Sequence, residues 1–266
     1  MQLAMNSLSA QHRCGPLETS RWVVHLGASR VILACRNISK GLAAAKDIQA
    51  MTGCSSDTLD VKTELPRLDV LIANAGINSH TFQMIKDNEA MITMNVISLF
   101  LLGFLLYPKL REAAAKYKTQ THFTTTSSDL NEIANFDEHK APPGWIFAPL
   151  NDETKFSAMD RYPTSRLLEL IIVKQMATLL PLNSNNVIIN CVSPGTLGRT
   201  TEVGSRSIVH GASSGGESHG QCLPDCKIER PTGLCQGEKA AEIQSNVWEE
   251  LKGKLEAIQP GVTTVS

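Results

Sequence analysis

Apolar positions along the chain fall into short unbroken runs separated by longer stretches at helical spacing. Val31-Ile-Leu-Ala-Cys35 is a continuous apolar run, as a strand covered on both faces requires. Ile38 to Met51 then carries Leu42, Ala45 and Ile48 on one helical face, with Ser39 as a cap and Gly53 just past the end. Leu68 to Ala73 reads as a second buried strand, Glu89 to Leu110 as a long helix, and His122 to Ser127 as a third strand. Asp160 to Leu180 reads as another helix, and Val187 to Val192 as a last clear strand before Pro194-Gly195. Strand and helix alternating through short connections predict right-handed crossovers and an α/β fold with a doubly wound parallel sheet. No linker and no internal repeat interrupts the alternation. The expectation is one domain over 1–266, with an atypical N-terminal segment at 1–21 and a shortened loop region at 196–235.

Composition narrows the function. Lys plus Arg number 25 against 26 Asp plus Glu, a net charge of −1. That balance argues against a nucleic-acid groove or a polybasic membrane anchor, both of which need surplus positive charge. Aromatic residues are sparse at 5 %, which disfavours a base- or sugar-stacking surface. The longest apolar stretch, Val96 to Tyr107, falls short of the roughly 20 residues that cross a bilayer and is expected to be a buried helix. Met1-Gln-Leu-Ala-Met-Asn-Ser has no basic stretch ahead of an apolar one, so a cytoplasmic location is expected. Seven scattered cysteines form no disulfide framework. Cys222, Cys226 and Cys235, with His210 and His219 nearby, match no paired zinc spacing; Pro224 and Gly233 suggest a plain loop there, and no metal is expected.

Candidate chemistry gathers just after strand ends, where open α/β sheets bind ligands. Asn74-Ala75-Gly76 follows the strand ending at Ala73, Ser127-Ser128 follows Phe123-Thr-Thr-Thr126, and Ser193-Pro194-Gly195 follows Val192. Tyr162 is expected to open a helix, with Arg166 one turn later on the same face. A hydroxyl, a phenol and a cation at one sheet edge can polarise and protonate a carbonyl oxygen, the cation lowering the phenol pKa from its usual value of about 10.

The ordered set Asn-Ala-Gly, Ser-Ser, Tyr-x-x-x-(basic) and Pro-Gly resembles the short-chain dehydrogenase/reductase family, in particular its fungal retinol-dehydrogenase-like members of secondary-metabolite pathways. The likeness runs from about Trp22 to the C-terminus. It implies a Rossmann-like fold and an oxidoreductase interconverting a carbonyl and an alcohol on a small metabolite. By that resemblance Ser128 orients the substrate carbonyl, Tyr162 moves the proton, Arg166 stands for the family's lysine, and Asn95 holds a water in the proton relay. Asn74, Ala75 and Gly76 line the cofactor, Pro194 and Gly195 flank the nicotinamide, and Asp60 faces the adenine. Arg36 stands where the family sets a residue facing the adenosine ribose, and a cation there favours NADP over NAD. Apolar residues of the Val96–Leu110 and Tyr162 helices, among them Leu167, Leu168, Leu170, Ile171 and Ile172, lead to the expectation of a homodimer or homotetramer.

Four departures from the family pattern accompany the likeness. The opening strand and its Thr-Gly-x-x-x-Gly-x-Gly turn are expected to be missing, since Ser9 to Pro16 supplies a single glycine. Between Gly53 and Leu68 a full strand–helix unit does not fit. The lid that follows Pro194-Gly195 in the family is cut short. Arg166 replaces the lysine and keeps its charge, but is a poor proton shuttle. These departures open an alternative from another class, a catalytically silent member acting as a binding or scaffold protein.

Overall fold

A computed structural model describes residues 2–6, 16–35, 37–60, 67–195, 200–228 and 233–264. Its centre is one seven-stranded sheet in the order β3-β2-β1-β4-β7-β8-β9, every neighbouring pair parallel. The strands are β1 (Gln2–Asn6), β2 (Arg30–Ala34), β3 (Leu59–Asp60), β4 (Val70–Ala73), β7 (Thr121–Thr126), β8 (Val187–Ser193) and β9 (Cys222–Pro224). A small antiparallel hairpin, β5 (Met84–Ile85) and β6 (Asn88–Glu89), lies outside the sheet. The doubly wound expectation holds, and the strand order reverses between β1 and β4.

One expectation is corrected. The opening strand is present: β1 occupies the middle of the sheet, with Leu3 in register with Val31 on one side and Val70 on the other. Gln2-Leu-Ala-Met-Asn has no β-branched residue, so its sequence gives little strand signal, and the ladder on both sides supplies the order. Asp69 locks it in place. Its carboxylate accepts from the Gln2 N–H (2.6 Å), its own N–H donates to the Gln2 carbonyl (2.9 Å), and Arg67 pairs with it at 2.8 Å. Residues 7–15, where the family's glycines would fall, lie outside the described residues. The second departure is partial: β3 pairs with β2 over two residues, and only nine residues separate Asp60 from Val70.

Helices cover both faces. On one lie α1 (Pro16–His25), α2 (Ile38–Thr52) and α7 (Thr201–Gly211), around a core that includes Leu3, Val23, Ile48, Val192 and Ile208. The cap of α2 is Asn37, whose Oδ1 accepts from the Lys40 N–H at 3.0 Å, rather than Ser39; Gly53 ends the helix in the left-handed region. On the other face lie α3 (Ala90–Ile92), a π-helical turn (Thr93–Ile97), α4 (Ser98–Tyr117), α5 (Ala158–Leu179) and α8 (Ala240–Ile258), with the short α6 (Leu182–Asn185) closing the run before β8. Ala90–Tyr117 is longer than the apolar run suggested and is long and apolar enough to cross a membrane by length and composition. It is packed into the core instead, with Phe100, Phe104, Tyr107 and Leu110 buried against the sheet and its neighbours.

Two further expectations change. α5 packs between the sheet and α8, and Leu167, Leu168, Leu170, Ile171 and Ile172 are buried within this one chain and offer no surplus surface for a partner. The stretch around Pro224 is not a plain loop either: Cys222–Pro224 forms the edge strand β9, with Cys222 opposite Cys191.

Candidate active site

The carboxyl ends of β4, β7 and β8 carry the residues singled out from sequence. Asn74, Ala75 and Gly76 follow β4 and are buried. Pro194 and Gly195 follow β8, and Gly195 has φ +94°, a backbone state that glycine enters without steric cost. Residues 196–199 lie outside the described residues. Downstream of them the chain forms α7, which covers the sheet beside α1.

Ser127 and Ser128 divide the work at the end of β7. Ser127 is buried; its N–H donates to the Val192 carbonyl (2.8 Å) and its hydroxyl to the Arg166 carbonyl (3.2 Å). The strand end is thereby tied to both β8 and α5. Ser128 is half-buried and extended, capping the short turn Asp129–Ile133 by accepting from the Leu130 N–H at 3.3 Å. That turn packs on α5.

Tyr162 does not open its helix. It is the fifth residue of α5, half-buried, and Pro163 sits beyond the first turn. Pro163 removes the hydrogen bond to the carbonyl of Met159, a residue 82 % exposed. Ser165 hydroxyl donates back to the Tyr162 carbonyl at 2.8 Å. The same hydroxyl accepts from Asn95 Nδ2 (2.9 Å).

Asn95 lies in the π-helical turn, fully buried. Its Oδ1 accepts from the Ile77 N–H (2.7 Å) and its Nδ2 also donates to the Ile77 carbonyl (2.9 Å). The side chain is therefore engaged on every side and links the Asn74–Gly76 segment, through Ile77 and Ser165, to the helix of Tyr162. Sequence reading missed Ile77 and Ser165, and gave Ser127 no role beyond its place beside Ser128. Ser165 falls at an unspecified position between Tyr162 and Arg166, and nothing in the spacing marks either serine as a link.

Arg166 is 2 % exposed. Nη1 donates to the Thr126 carbonyl (2.9 Å) and pairs with Glu169 Oε2 (3.0 Å), and the guanidinium carbon lies 5.0 Å from the centre of the Tyr162 ring. Burial works to strip its proton, but Tyr162 and Glu169 outweigh burial and hold the guanidinium charged. Burial pushes the Glu169 carboxyl up, against the opposing pull of Arg166. Nearby, Arg161 donates to the Leu150 carbonyl and faces Glu89, whose carboxyl burial raises while it caps α3 through the Met91 and Ile92 N–H groups.

The residues present suit a nicotinamide coenzyme at this edge. Thr126 Oγ1 and Ser193 Oγ, at the ends of adjacent strands, are buried hydroxyls without a protein partner, polar capacity that a ligand rich in hydroxyl and amide groups can take up. Asp60 lies in β3 opposite Ile32 by its backbone, and its side chain is outside what is described. Arg36 lies outside the described residues.

No protein-family model matches the chain. Curated proteins do. The chain is 40 % identical to the short chain dehydrogenase/reductase dmxR8 of Cryptosporiopsis sp., over 93 % of this chain and 89 % of that one. The chain belongs to the short-chain dehydrogenase/reductase family. It is also 30 % identical to the short-chain dehydrogenase anuD of Penicillium roqueforti, over 92 % of this chain and 75 % of that one. Among solved structures, an uncharacterised protein from Mycobacterium paratuberculosis shares the fold with a TM-score of 0.71 at 20 % identity, covering 95 % of this chain and 93 % of its own. Salutaridine reductase from Papaver somniferum shares it with a TM-score of 0.62 at 15 % identity, covering 84 % and 99 %. As a member of this family the chain is an oxidoreductase.

Proposed function

We propose that this oxidoreductase is NADP(H)-dependent and interconverts a carbonyl and an alcohol on a small apolar metabolite, within fungal secondary metabolism. The observation that carries the reading is Tyr162, half-buried on α5 with a charged guanidinium beneath its ring, on a helix tied by Ser127 to the strand end that presents Ser128. Ser128 donates to the carbonyl oxygen and Tyr162 gives or takes the proton there. Asn74 to Gly76 line the coenzyme and Pro194-Gly195 flank its nicotinamide, whose chemistry is to supply or accept the hydride. Asn95 serves this edge as a brace between Ile77 and Ser165. The preference for NADP rests on Arg36, a cation at the family's ribose-facing position. The apolar substrate class is supported by Leu130 and Ile133 in the turn after Ser128 and by Met159 one turn ahead of Tyr162, which are 37 %, 67 % and 82 % exposed.

A panel of ketones and aldehydes with NADPH tests the reading. Turnover is expected, and Tyr162→Phe is expected to lower it by about 10²- to 10⁴-fold while leaving the fold intact. Turnover that survives that substitution overturns the mechanism. One observation favours a second reading, a member that binds without turnover: Arg166 is buried with Nη1 engaged by Thr126 and Glu169. Any turnover lost on replacing Tyr162 removes that reading.

A further inference from the structure

Tyr162, Arg166 and Glu169 follow one another on α5 at spacings of four and three, so they stack along one face of the helix. Arg166 and Glu169 are both removed from water, their side chains 2 % and 0 % exposed. Either charge alone at that depth would be strongly disfavoured; together each offsets much of the other's cost, with Arg166 Nε and Glu169 Oε1 left without a hydrogen-bond partner. The geometry leaves no doubt about the partner: Nη1 meets Glu169 Oε2 at 3.0 Å and the Thr126 carbonyl at 2.9 Å. The guanidinium lies under the Tyr162 ring, 5.0 Å from its centre. A lone cation there would draw the proton off the phenol, and a carboxylate locked to that cation offsets part of its field.

We propose that Glu169 is a positioning residue: it fixes the Arg166 guanidinium against the Thr126 carbonyl, beneath Tyr162, and thereby sets how strongly the phenol holds its proton. The proposal rests on the reading of Tyr162 as the proton-transfer residue. It explains how an arginine works where its family relatives by resemblance carry lysine. The larger cation is drawn into the protein and given a counter-charge, so that its effect on the phenol is tempered.

Other ionisable groups stand on the elements packed against α5. Cys191 on β8 has its thiol pushed up by the neighbouring Cys222 and by burial, with Glu169 adding to it, and so stays neutral. Asp129 and Glu132 lie in the turn after Ser128, and Glu89 at the start of α3 faces Arg161. On α8, Glu250 accepts from the Ile146 and Phe147 N–H groups and Lys254 donates to Asn88. On α5 itself are Asp160, Arg161 and Lys174. Glu169 is the carboxylate paired with the guanidinium under the ring.

The chain has three tyrosines, which makes the test clean. Burial pushes Tyr107 up to about 12, and Tyr162→Phe identifies the Tyr162 step by subtraction. Tyrosinate absorbance is followed against pH in cofactor-free protein for the wild type, Glu169→Gln, and Arg166→Met/Glu169→Gln. Glutamine keeps an acceptor for Arg166 but removes the charge, so the Tyr162 midpoint is expected to fall by about one unit, roughly tenfold more tyrosinate below the midpoint. The double variant is expected to lose that fall. Glu169→Asp, which withdraws the charge by one methylene, is expected to move the midpoint the same way by less, and carries the test if Glu169→Gln does not fold. A midpoint unmoved in folded Glu169→Gln or Glu169→Asp, whatever happens to melting temperature, overturns the proposal. The titration needs no turnover, so failure of the catalytic reading shows separately, as activity that survives Tyr162→Phe.

Discussion

On one side of the point where the strand order reverses, β4, β7 and β8 run for four, six and seven residues with nearly every position buried. Their carboxyl ends are bound to one another and to α5 through Ser127, Asn95, Ser165 and Arg166. On the other side β2 has five residues, β3 has two, and β1 is joined at its start to Asp69 by the backbone ladder and the Asp69 carboxylate. The difference teaches where this chain keeps its function. The half that carries the proposed proton-transfer residues is cross-linked by side chains, so each group's place is set by several others. The half that the resemblance assigns to the adenosine end of the coenzyme has shorter strands among the described residues, and Ser9 to Pro16 supplies a single glycine where a pyrophosphate needs a close backbone approach.

The sharpest way to break the well-braced half is to crowd it. A β-carbon at Gly103 on α4 would overlap the Phe123 ring of β7, which is itself fully buried. Gly103→Ala is expected to cost about 3 kcal/mol by overpacking, read as a lowered midpoint in denaturant. An unchanged midpoint would show that α4 and β7 are less tightly joined than the core suggests. Asp69→Asn probes the other half. It removes the charge that pairs with Arg67 and weakens the anchor on Gln2, and is expected to cost about 2 kcal/mol. Hydrogen exchange should then quicken in β1 and β2 before β7 and β8; uniform quickening would mean that the two halves unfold as one.

A smaller effect comes from pH. Burial lowers the pKa of His219 and of His122, both on the well-braced side. His219 Nδ1 accepts from the Ile189 N–H (3.2 Å) and Nε2 lies 3.2 Å from the Ala177 carbonyl, an arrangement that needs the neutral ring. The unfolded chain therefore takes up protons that the folded one refuses. The stability these rings lend is complete above the unfolded histidine value of about 6.5 and is lost as pH falls through it toward the lower folded values. Melting temperature is expected to drop between about pH 7.5 and pH 5, less so in His219→Gln. A drop of equal size in that variant would place the acid sensitivity elsewhere.

Much of this was legible from residue pattern alone. Buried runs such as Val187 to Val192 and the helical spacing of Leu42, Ala45 and Ile48 gave the alternation, and the motifs at strand ends pointed to the candidate site. β1 was not legible, because Gln2 to Asn6 carries no strand preference of its own and gains its order from two neighbours distant in sequence. Nor was the inward turn of Arg166: its position four residues after Tyr162 shows the shared face, while its partner is decided by the depth of α5 under α8. Asn95 illustrates the same limit. An asparagine in an apolar helix announces a buried polar contact, but the identity of Ile77 and Ser165 as its partners depends on tertiary packing.

The most direct test of the reading is whether the reduced half still holds the coenzyme for the braced half to use. Melting curves of the wild type and of Tyr162→Phe, each with and without NADPH or NADH, decide it. At about 100 times the dissociation constant a ligand adds roughly 2.7 kcal/mol. The expected result is a clear upward shift with NADPH, a smaller one with NADH, and the same NADPH shift in Tyr162→Phe, where binding persists and proton transfer is lost. No shift with either coenzyme at saturating concentrations would contradict the oxidoreductase reading of this chain.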